Sequence, residues 1–502
     1  MAERRTTGGA AVNLASVLLA AAGPAPNARA LGGPRPATYR ELSQVVGKVA
    51  RVLSADVDAG DRVAILAEND DAFVVAYLAT LSAGGVAVPL NPVAPDAELA
   101  RELEVVAPVA VLRGPDLESR HVQVPGLAPE IADIRALVAT ATSHEPLAPV
   151  ERDHDDLAVL LFTAGTSGAP KAAMLTHGNL AANIAQVQSH PGTRRSSDDV
   201  VLGVLPFFHV YGLNVVLGVG LATGACIVPV AHFDPVGTAR VVEDEAVTVV
   251  PAVPAIYASW LELPADVLPA ERFATVRVAV SGAAPLPPET ASAFRERFGV
   301  AVHDGYGLTE TSPVVTTSAV DAAPRAGSIG APLPGVEVRL VDADGSDVLS
   351  GDPGEIWVRG PNVFRGYWRD PEATAAVLSD DGWLRTGDVA VADDDGFLSI
   401  VDRVKDVIIV SGFNVFPIEV EDVVRAHPDV ADVAVVGVAD PRSGERLHAY
   451  VVPEPGHTPD VARLQAWCRE RLARYKCPVS YEIVDGLPRG LSGKVLRRAL
   501  RS

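Results

Sequence analysis

The residues from Leu161 to His177, Leu-Phe-Thr-Ala-Gly-Thr-Ser-Gly-Ala-Pro-Lys-Ala-Ala-Met-Leu-Thr-His, crowd glycines, hydroxyls and one lysine into a short span. Glycines let backbone N–H groups close on an anion; Thr163, Thr166 and Ser167 add donors, and Lys171 brings a compact positive charge. Upstream, Leu157 to Phe162 is an apolar run of strand length, so the pattern predicts a strand that opens into a phosphate-binding loop. A Walker loop is excluded. It needs Gly directly before Lys and a hydroxyl directly after, whereas Pro170 precedes Lys171 and Ala172 follows it.

A second grouping, Asp304-Gly-Tyr-Gly-Leu-Thr-Glu-Thr311, reads as a tight Gly-punctuated turn carrying an aromatic, hydroxyls and a carboxylate. Tyr306 can stack a base, Thr309 can hydrogen-bond a phosphate, and Glu310 can hold Mg²⁺, a hard cation that usually needs few carboxylates beside substrate phosphates. Ser281-Gly-Ala-Ala-Pro-Leu286 follows an apolar run, Val276 to Val280, and its small residues leave room for a flat ligand against the backbone.

The loop at 161–172 and the Tyr306-Gly-Leu-Thr-Glu310 run resemble the acyl-adenylate-forming enzymes: acyl-CoA synthetases, firefly-type luciferases and peptide-synthetase adenylation domains. Trp383-Leu-Arg-Thr-Gly-Asp388, Val401-Asp-Arg-Val-Lys405 and Leu487-Pro-Arg-Gly-Leu-Ser-Gly-Lys494 continue the resemblance in the family's order. The chain departs from the loop pattern at Ala164, Ser167 and Ala172. Ser167 keeps the hydroxyl, Ala164 loses one, and Ala172 asks only that the backbone there avoid positive φ.

The resemblance implies roles residue by residue. Gly282, Ala283, Ala284, Asp304, Gly305 and Tyr306 would surround the adenine nucleotide, with Thr163, Thr166 and Ser167 on its phosphates. Asp388 and Arg403 would hold the ribose, where a carboxylate can accept both hydroxyl protons. Lys171, Thr309, Glu310 and Lys494 would act on the reacting groups; Lys494 would bridge the substrate carboxylate and the α-phosphate, since two anions must approach each other. Lys405 would be a hinge. In Leu205-Pro-Phe-Phe-His-Val-Tyr-Gly212, His209 would gate carboxylate entry, Gly307 would leave the acyl pocket open, and Ser411, Gly412 and Phe413 would border the CoA channel.

On this reading the chain is an AMP-forming acyl-CoA synthetase using ATP, Mg²⁺ and coenzyme A. It would make an acyl-adenylate, release pyrophosphate, and transfer the acyl group to the thiol. His209 stands where amino-acid-activating relatives carry an Asp, and Gly307 where acetate-activating relatives carry a Trp, so an apolar tunnel for a medium- or long-chain fatty acid is expected. Aryl-acid ligases of the coumarate or benzoate kind, and adenylate-only enzymes that load a carrier protein, remain alternatives. So do a luciferase-like oxidase and a nucleotide-binding protein without chemistry.

The elements that must position these residues alternate along the chain. Arg62 to Ala67, Val86 to Leu90 and Val109 to Leu112 read as buried strands around a helix at 71–81, and the rhythm resumes at 199–205, 225–230, 247–250 and 276–280. The expected fold class is α/β: a large N-terminal domain of parallel-rich, helix-covered sheets with a small antiparallel subdomain near 336–358, then a small mobile C-terminal α+β domain. The domains are placed at 1–402 and 403–502, the second with a helix at 417–426, strands at 433–438 and 449–452, and a helix at 461–473. A chain of 502 residues, 48% hydrophobic, can bury such cores.

Forty-two Lys and Arg against 63 Asp and Glu leave a net charge of −21, which disfavours nucleic acid as a partner; the partners are a small carboxylic acid, ATP and CoA. Three scattered cysteines, Cys226, Cys468 and Cys477, suit buried hydrophobes in a reducing compartment rather than disulfides or a zinc site. The apolar start, Ala10 to Ala22, is interrupted by Asn13 and Ser16 and reads as an amphipathic helix rather than a secretory signal. No apolar segment approaches the roughly 20 residues that span a bilayer. A cytoplasmic monomer or homodimer is expected.

Overall fold

The computed structural model describes residues 12–117, 130–164, 170–284, 286–319, 325, 327–342, 345–403, 408–415, 417–488 and 500. Local sequence sets its helices. Thr38 caps Tyr39–Leu53 through a reciprocal pair with Glu41, and Leu42, Val46, Val49, Ala50 and Leu53 fall on its buried face. Asp70 caps Asp71–Ser82, which is buried all round because sheet and helices cover every side. Asn13 caps the short helix Leu14–Leu18; its amide donates to the carbonyls of Leu81 (2.7 Å) and Val150 (2.9 Å), and Leu14, Ala15 and Leu18 lie in the core.

Among the described residues, two large sheets carry the molecule. One joins six strands in the order Glu130–Asp133, Ala110–Arg113, Arg62–Leu66, Val86–Leu90, Leu157–Ala164 and Pro170–Thr176, parallel except for the last pair. The other joins nine, with a parallel centre formed by Val302–Gly307, Val278–Ser281, Val249–Ala252, Val200–Gly203 and Cys226–Pro229. A four-stranded antiparallel sheet runs Glu337–Val341, Gly354–Arg359, Leu384–Ala392, Leu398–Arg403. Among the described residues, five strands lie beyond residue 407, including the long hairpin Val430–Asp440 with Gly444–Pro453. One apolar cluster extends from Leu14 to Leu398; another lies wholly between Ile408 and Cys477.

The architecture is thus mixed α/β with parallel-rich sheets, an antiparallel sheet and a C-terminal α+β unit, as expected. Three local expectations change. The stretch from Asp304 is not a turn throughout: Val302–Gly307 is a strand, paired on one side with Val278–Ser281 and on the other with Val314–Thr317, and only Thr309–Thr311 turns. Strand pairing on both flanks satisfies the backbone groups that a buried turn would leave open. The lysine of the 161–177 stretch also sits on a strand, because Pro170–Thr176 folds back on Leu157–Ala164. The helix expected over 461–473 ends at Arg469, and Arg474–Lys476 forms a separate 3₁₀ turn.

Candidate active site

In parallel sheets ligands gather beyond the carboxyl ends of the strands. Val204 to His209 follow Val200–Gly203, Val253 follows Val249–Ala252, Gly282 to Ala284 follow Val278–Ser281, and Leu308 to Glu310 follow Val302–Gly307. Segments from all four line one cavity of about 960 Å³.

One wall of the cavity is a hairpin edge. Thr163 pairs with Lys171 and Ala164 with Pro170 across the two strands, and Ala172 sits opposite Phe162. Ala172 is absent from the residues with positive φ, as its substitution for glycine requires. Thr176 then caps the helix His177–Ser189 through a reciprocal pair with Asn179. His177 is buried at its start; its Nδ1 accepts from Leu14 N at 3.0 Å, and burial pushes its pKa down to about 4, so the ring is neutral.

Residues 364–368 lie along the outer edge of that hairpin. Trp368 N donates to Ala172 O at 2.8 Å, Tyr367 bridges Ala173, and Phe364 N donates to Glu310 O at 2.8 Å. Tyr367 is thereby placed between two charges. Its hydroxyl donates to Glu310 Oε1 at 2.7 Å, while Lys171 Nζ lies 5.3 Å from its ring centroid, a cation–π separation. Burial and the neighbouring carboxylate push the Tyr367 hydroxyl far above its ordinary pKa, so it stays a donor.

Also on the cavity lining, Tyr306 is fixed by its hydroxyl, which donates to Asp388 Oδ2 at 2.8 Å. Asp388 is buried on Leu384–Ala392, directly across the ladder from Arg403 on Leu398–Arg403. Asp304 accepts from Gly305 N at 3.0 Å and more weakly from Leu286 N at 3.5 Å, yet burial prevails and pushes its carboxyl up to about 7. Ala283 adopts φ +65°, and a Cβ on Gly282 would stand 3.0 Å from the Tyr211 ring.

The opposite wall is aromatic and apolar. His209 lies with ring centroids 4.9 Å from both Phe208 and Phe413. Its Nε2 has no partner among the described residues, and burial, with the Lys476 cation second, lowers its pKa to about 4. It is a neutral imidazole at pH 7. The segment that follows, Tyr211–Gly218, is π-helical, an irregularity frequent at functional sites. A Cβ on Gly307 would fall 1.9 Å from Pro313 O, so no side chain can close the cavity there without moving the backbone.

Phe413 belongs to the hairpin Ile408–Val410 with Phe413–Val415, whose turn holds Ser411 at φ +51° and Gly412 at φ +82°. A Cβ on Gly412 would stand 2.5 Å from Val253 Cγ1. Phe413 stacks on Tyr475 at 4.2 Å. Next to it, Lys476 Nζ donates to Glu98 Oε1 at 2.8 Å and Glu419 Oε1 at 3.0 Å, joining the helix Asp96–Val106 to the C-terminal unit.

The cavity therefore gathers Thr163, Lys171, His209, Gly282, Ala283, Ala284, Asp304, Gly305, Tyr306, Gly307, Thr309, Glu310, Asp388, Ser411, Gly412 and Phe413. Thr166, Ser167, Lys405 and Lys494 lie outside the described residues, and Arg403 is described only through its backbone. Sequence reasoning missed Tyr367, Arg195, Tyr211 and Lys476, which also line it. The Gly366-Tyr-Trp368 cluster was a readable turn with aromatics; for Arg195, one of two adjacent arginines before a polar run, nothing in the pattern separates it from a surface residue. Among the described residues no group of three or more His, Cys, Asp or Glu could hold a metal by itself. Glu310 on the lining of the cavity does fit the way Mg²⁺ is held, by one carboxylate and substrate oxygens. The three cysteines are free and buried, and no described helix is long and apolar enough to cross a membrane.

Residues 18–368 match the AMP-binding enzyme family, and residues 419–494 match the AMP-binding enzyme C-terminal domain. A feruloyl-CoA synthase of an Amycolatopsis species is 39% identical, over 92% of this chain and 93% of the relative. A long-chain-fatty-acid–CoA ligase of Bacillus subtilis is 33% identical, over 92% and 89%. In structure, o-succinylbenzoate CoA synthetase from Bacillus subtilis, bound with a product analogue, superposes with TM-score 0.85 at 30% identity, covering 97% of this chain and 98% of that one. The chain belongs to the AMP-binding enzyme family, within the acyl-adenylate-forming superfamily. It is an AMP-forming acid–thiol ligase, and membership implies ATP and CoA as its co-substrates.

Proposed function

We propose that this enzyme activates a carboxylic acid, long or ring-bearing enough to need an open pocket, as its adenylate and passes it to CoA. The observation that carries this reading is the meeting, in one cavity, of the Lys171–Tyr367–Glu310 group with the hairpin of Phe413 set against His209.

In the first half-reaction a substrate carboxylate oxygen attacks the α-phosphorus of ATP, and the bond to pyrophosphate breaks. Lys171, Thr163, Thr166 and Ser167 hold the departing phosphates, Thr309 hydrogen-bonds the transferring group, and Lys494 supplies the positive charge between the two anions. A magnesium ion held by Glu310 would neutralise phosphate charge there. Tyr367 keeps that carboxylate aimed, and Tyr306 does the same for Asp388 beside the ribose, with Arg403 across the ladder.

In the second half-reaction the CoA thiol attacks the adenylate carbonyl and AMP leaves. We assign residues 1–402 and 403–502 to two bodies that rotate about Lys405, withdrawing Lys494 and bringing Ser411, Gly412 and Phe413 to the cavity. The packing of Phe413 on His209 and of Gly412 against Val253 supports placing the present arrangement in this second step. A neutral His209 suits the meeting point, since a cation there would pair with the substrate carboxylate and hold it. For the acid, the apolar lining that includes Val204, Ile256 and Leu308 favours a fatty acyl chain. The buried polar groups beside Tyr211 favour an aryl or fused-ring acid as the second reading.

The test is pyrophosphate release with ATP and Mg²⁺ across acetate, octanoate, palmitate, benzoate and cinnamate, with and without CoA. Acid-dependent release that yields acyl-CoA is expected, with acetate poorest. Release without thioester would replace CoA by another acceptor, and no release with any acid would refute the ligase reading.

A further inference from the structure

Resting on the ligase reading just given, one charged group in the cavity has no task in either half-reaction. Arg195 follows the helix His177–Ser189 and precedes the strand Val200–Gly203, and it lines the cavity near Tyr211. It is only 6% exposed. A guanidinium carries five N–H donors in a planar fork, and burying it is costly unless those donors find acceptors.

Among the described residues its side chain makes one hydrogen bond, from Nη1 to Thr193 O at 2.7 Å. The neighbouring carboxylate is already engaged. Asp199 accepts from Arg277 Nε at 2.7 Å, from Ser196 N at 2.7 Å and from Thr248 Oγ1 at 2.8 Å, so its ion pair belongs to Arg277. Burial and the Arg277 charge lower the Arg195 pKa to about 10, which leaves it cationic at neutral pH. The acyl half of the cavity thus presents a largely buried cation, with donors to spare, to whatever fills it.

We infer that Arg195 is a specificity residue: it donates to an oxygen acceptor, such as a phenol, a ketone or a second carboxylate, at the end of the acid remote from the reacting carboxyl. The acid is then an oxygenated one rather than a plain alkyl chain. A bare methyl or phenyl terminus would cover the guanidinium without replacing its water, leaving the charge unpaired. The same asymmetry makes the effect large for one class of acid and absent for the other.

The experiment compares matched pairs: cinnamate with para-hydroxycinnamate and para-carboxycinnamate, and octanoate with octanedioate. Each is measured as kcat/KM for pyrophosphate release and as Kd by calorimetry, in the wild-type enzyme, in Arg195→Met and in Arg195→Lys. Wild type should favour an oxygen-bearing member about 10- to 100-fold, carried by Kd and KM more than by kcat. Arg195→Met should bring that ratio close to one, and Arg195→Lys should keep part of it for the dicarboxylates. The para-hydroxy and para-carboxy arms separate a neutral acceptor from an anion. No preference in the wild type, or a preference that survives Arg195→Met, overturns the assignment. If Arg195→Met does not fold, the wild-type ratios and Arg195→Lys still decide. Loss of turnover with every acid would count against the ligase reading alone, because the Kd ratios judge Arg195 independently.

Discussion

The hairpin wall of the cavity and its neighbours hold Glu310 by the Tyr367 hydroxyl, Asp388 by Tyr306, and Lys171 over an aromatic face, so these charges meet protein partners before any substrate arrives. Across the cavity, His209 Nε2 has no partner among the described residues, and Arg195 has a single neutral one. On the proposed reading, one wall is preorganised for a ligand that never changes, the triphosphate, and the other keeps hydrogen-bonding capacity for a particular acid. Preorganised dipoles lower a barrier because they need no rearrangement during reaction. Unmet donors lose free energy until the right partner comes, and that loss is what discriminates.

The strongest challenge to this contrast is Glu310→Gln. If this carboxylate holds the metal and orients charge, pyrophosphate release should fall about 10²- to 10³-fold, the magnitude usual for removing one charge-stabilising group. A fall below tenfold would move the metal site elsewhere. Gly412→Leu attacks the other wall. A side chain there meets Val253 at 2.5 Å and must hold φ +82°, together roughly 2 to 5 kcal/mol against the docked hairpin. Thioester formation should drop about 10²-fold while adenylate formation persists, measured as acyl-CoA against a pyrophosphate burst.

Tyr367→Phe is smaller. It removes one hydrogen bond to a charged group, about 1.5 to 3 kcal/mol in general, but the Glu310 carboxylate keeps its backbone placement through Phe364. A loss of about tenfold in kcat, relieved in part by raised Mg²⁺, is expected in the release assay.

The smallest effect concerns stability. Glu102 is buried among Glu98, Arg101, Glu419, Lys476 and Tyr475, and burial, then Glu98, raises its pKa to about 8. Between about pH 4.5 and 8 the folded state holds a proton that the unfolded state has lost, so this group's contribution to stability is full below that window and falls as pH rises through it. Glu102→Gln should therefore raise Tm relative to wild type more at pH 8 than at pH 5. An equal shift at both values would show that Glu102 does not titrate there.

Much of the fold was legible because it is local. Capping residues such as Thr38, Asp70 and Thr176 and apolar runs such as Arg62–Leu66 announce helices and buried strands within a few positions. The longer strand at Val302–Gly307 was not, since Gly305 and Gly307 read as turn residues until both flanking strands pair with them. The site divides in the same way. Lys171, Glu310 and Asp388 stand in short runs whose spacing carries chemistry, whereas Tyr367 and Arg195 acquire theirs from neighbours far away in the chain.

From sequence alone come the class of chemistry, the alternating α/β order and the short runs that carry Lys171, Glu310 and Asp388 to the cavity, because backbone donors and charges at fixed short spacing are local properties. Tertiary structure alone decided that Tyr367 lies between Lys171 and Glu310, that Phe413 covers His209, and that Arg195 is buried at the cavity with the Asp199 carboxylate already paired to Arg277. Burial and partnership are sums over distant segments, and no window of sequence contains them.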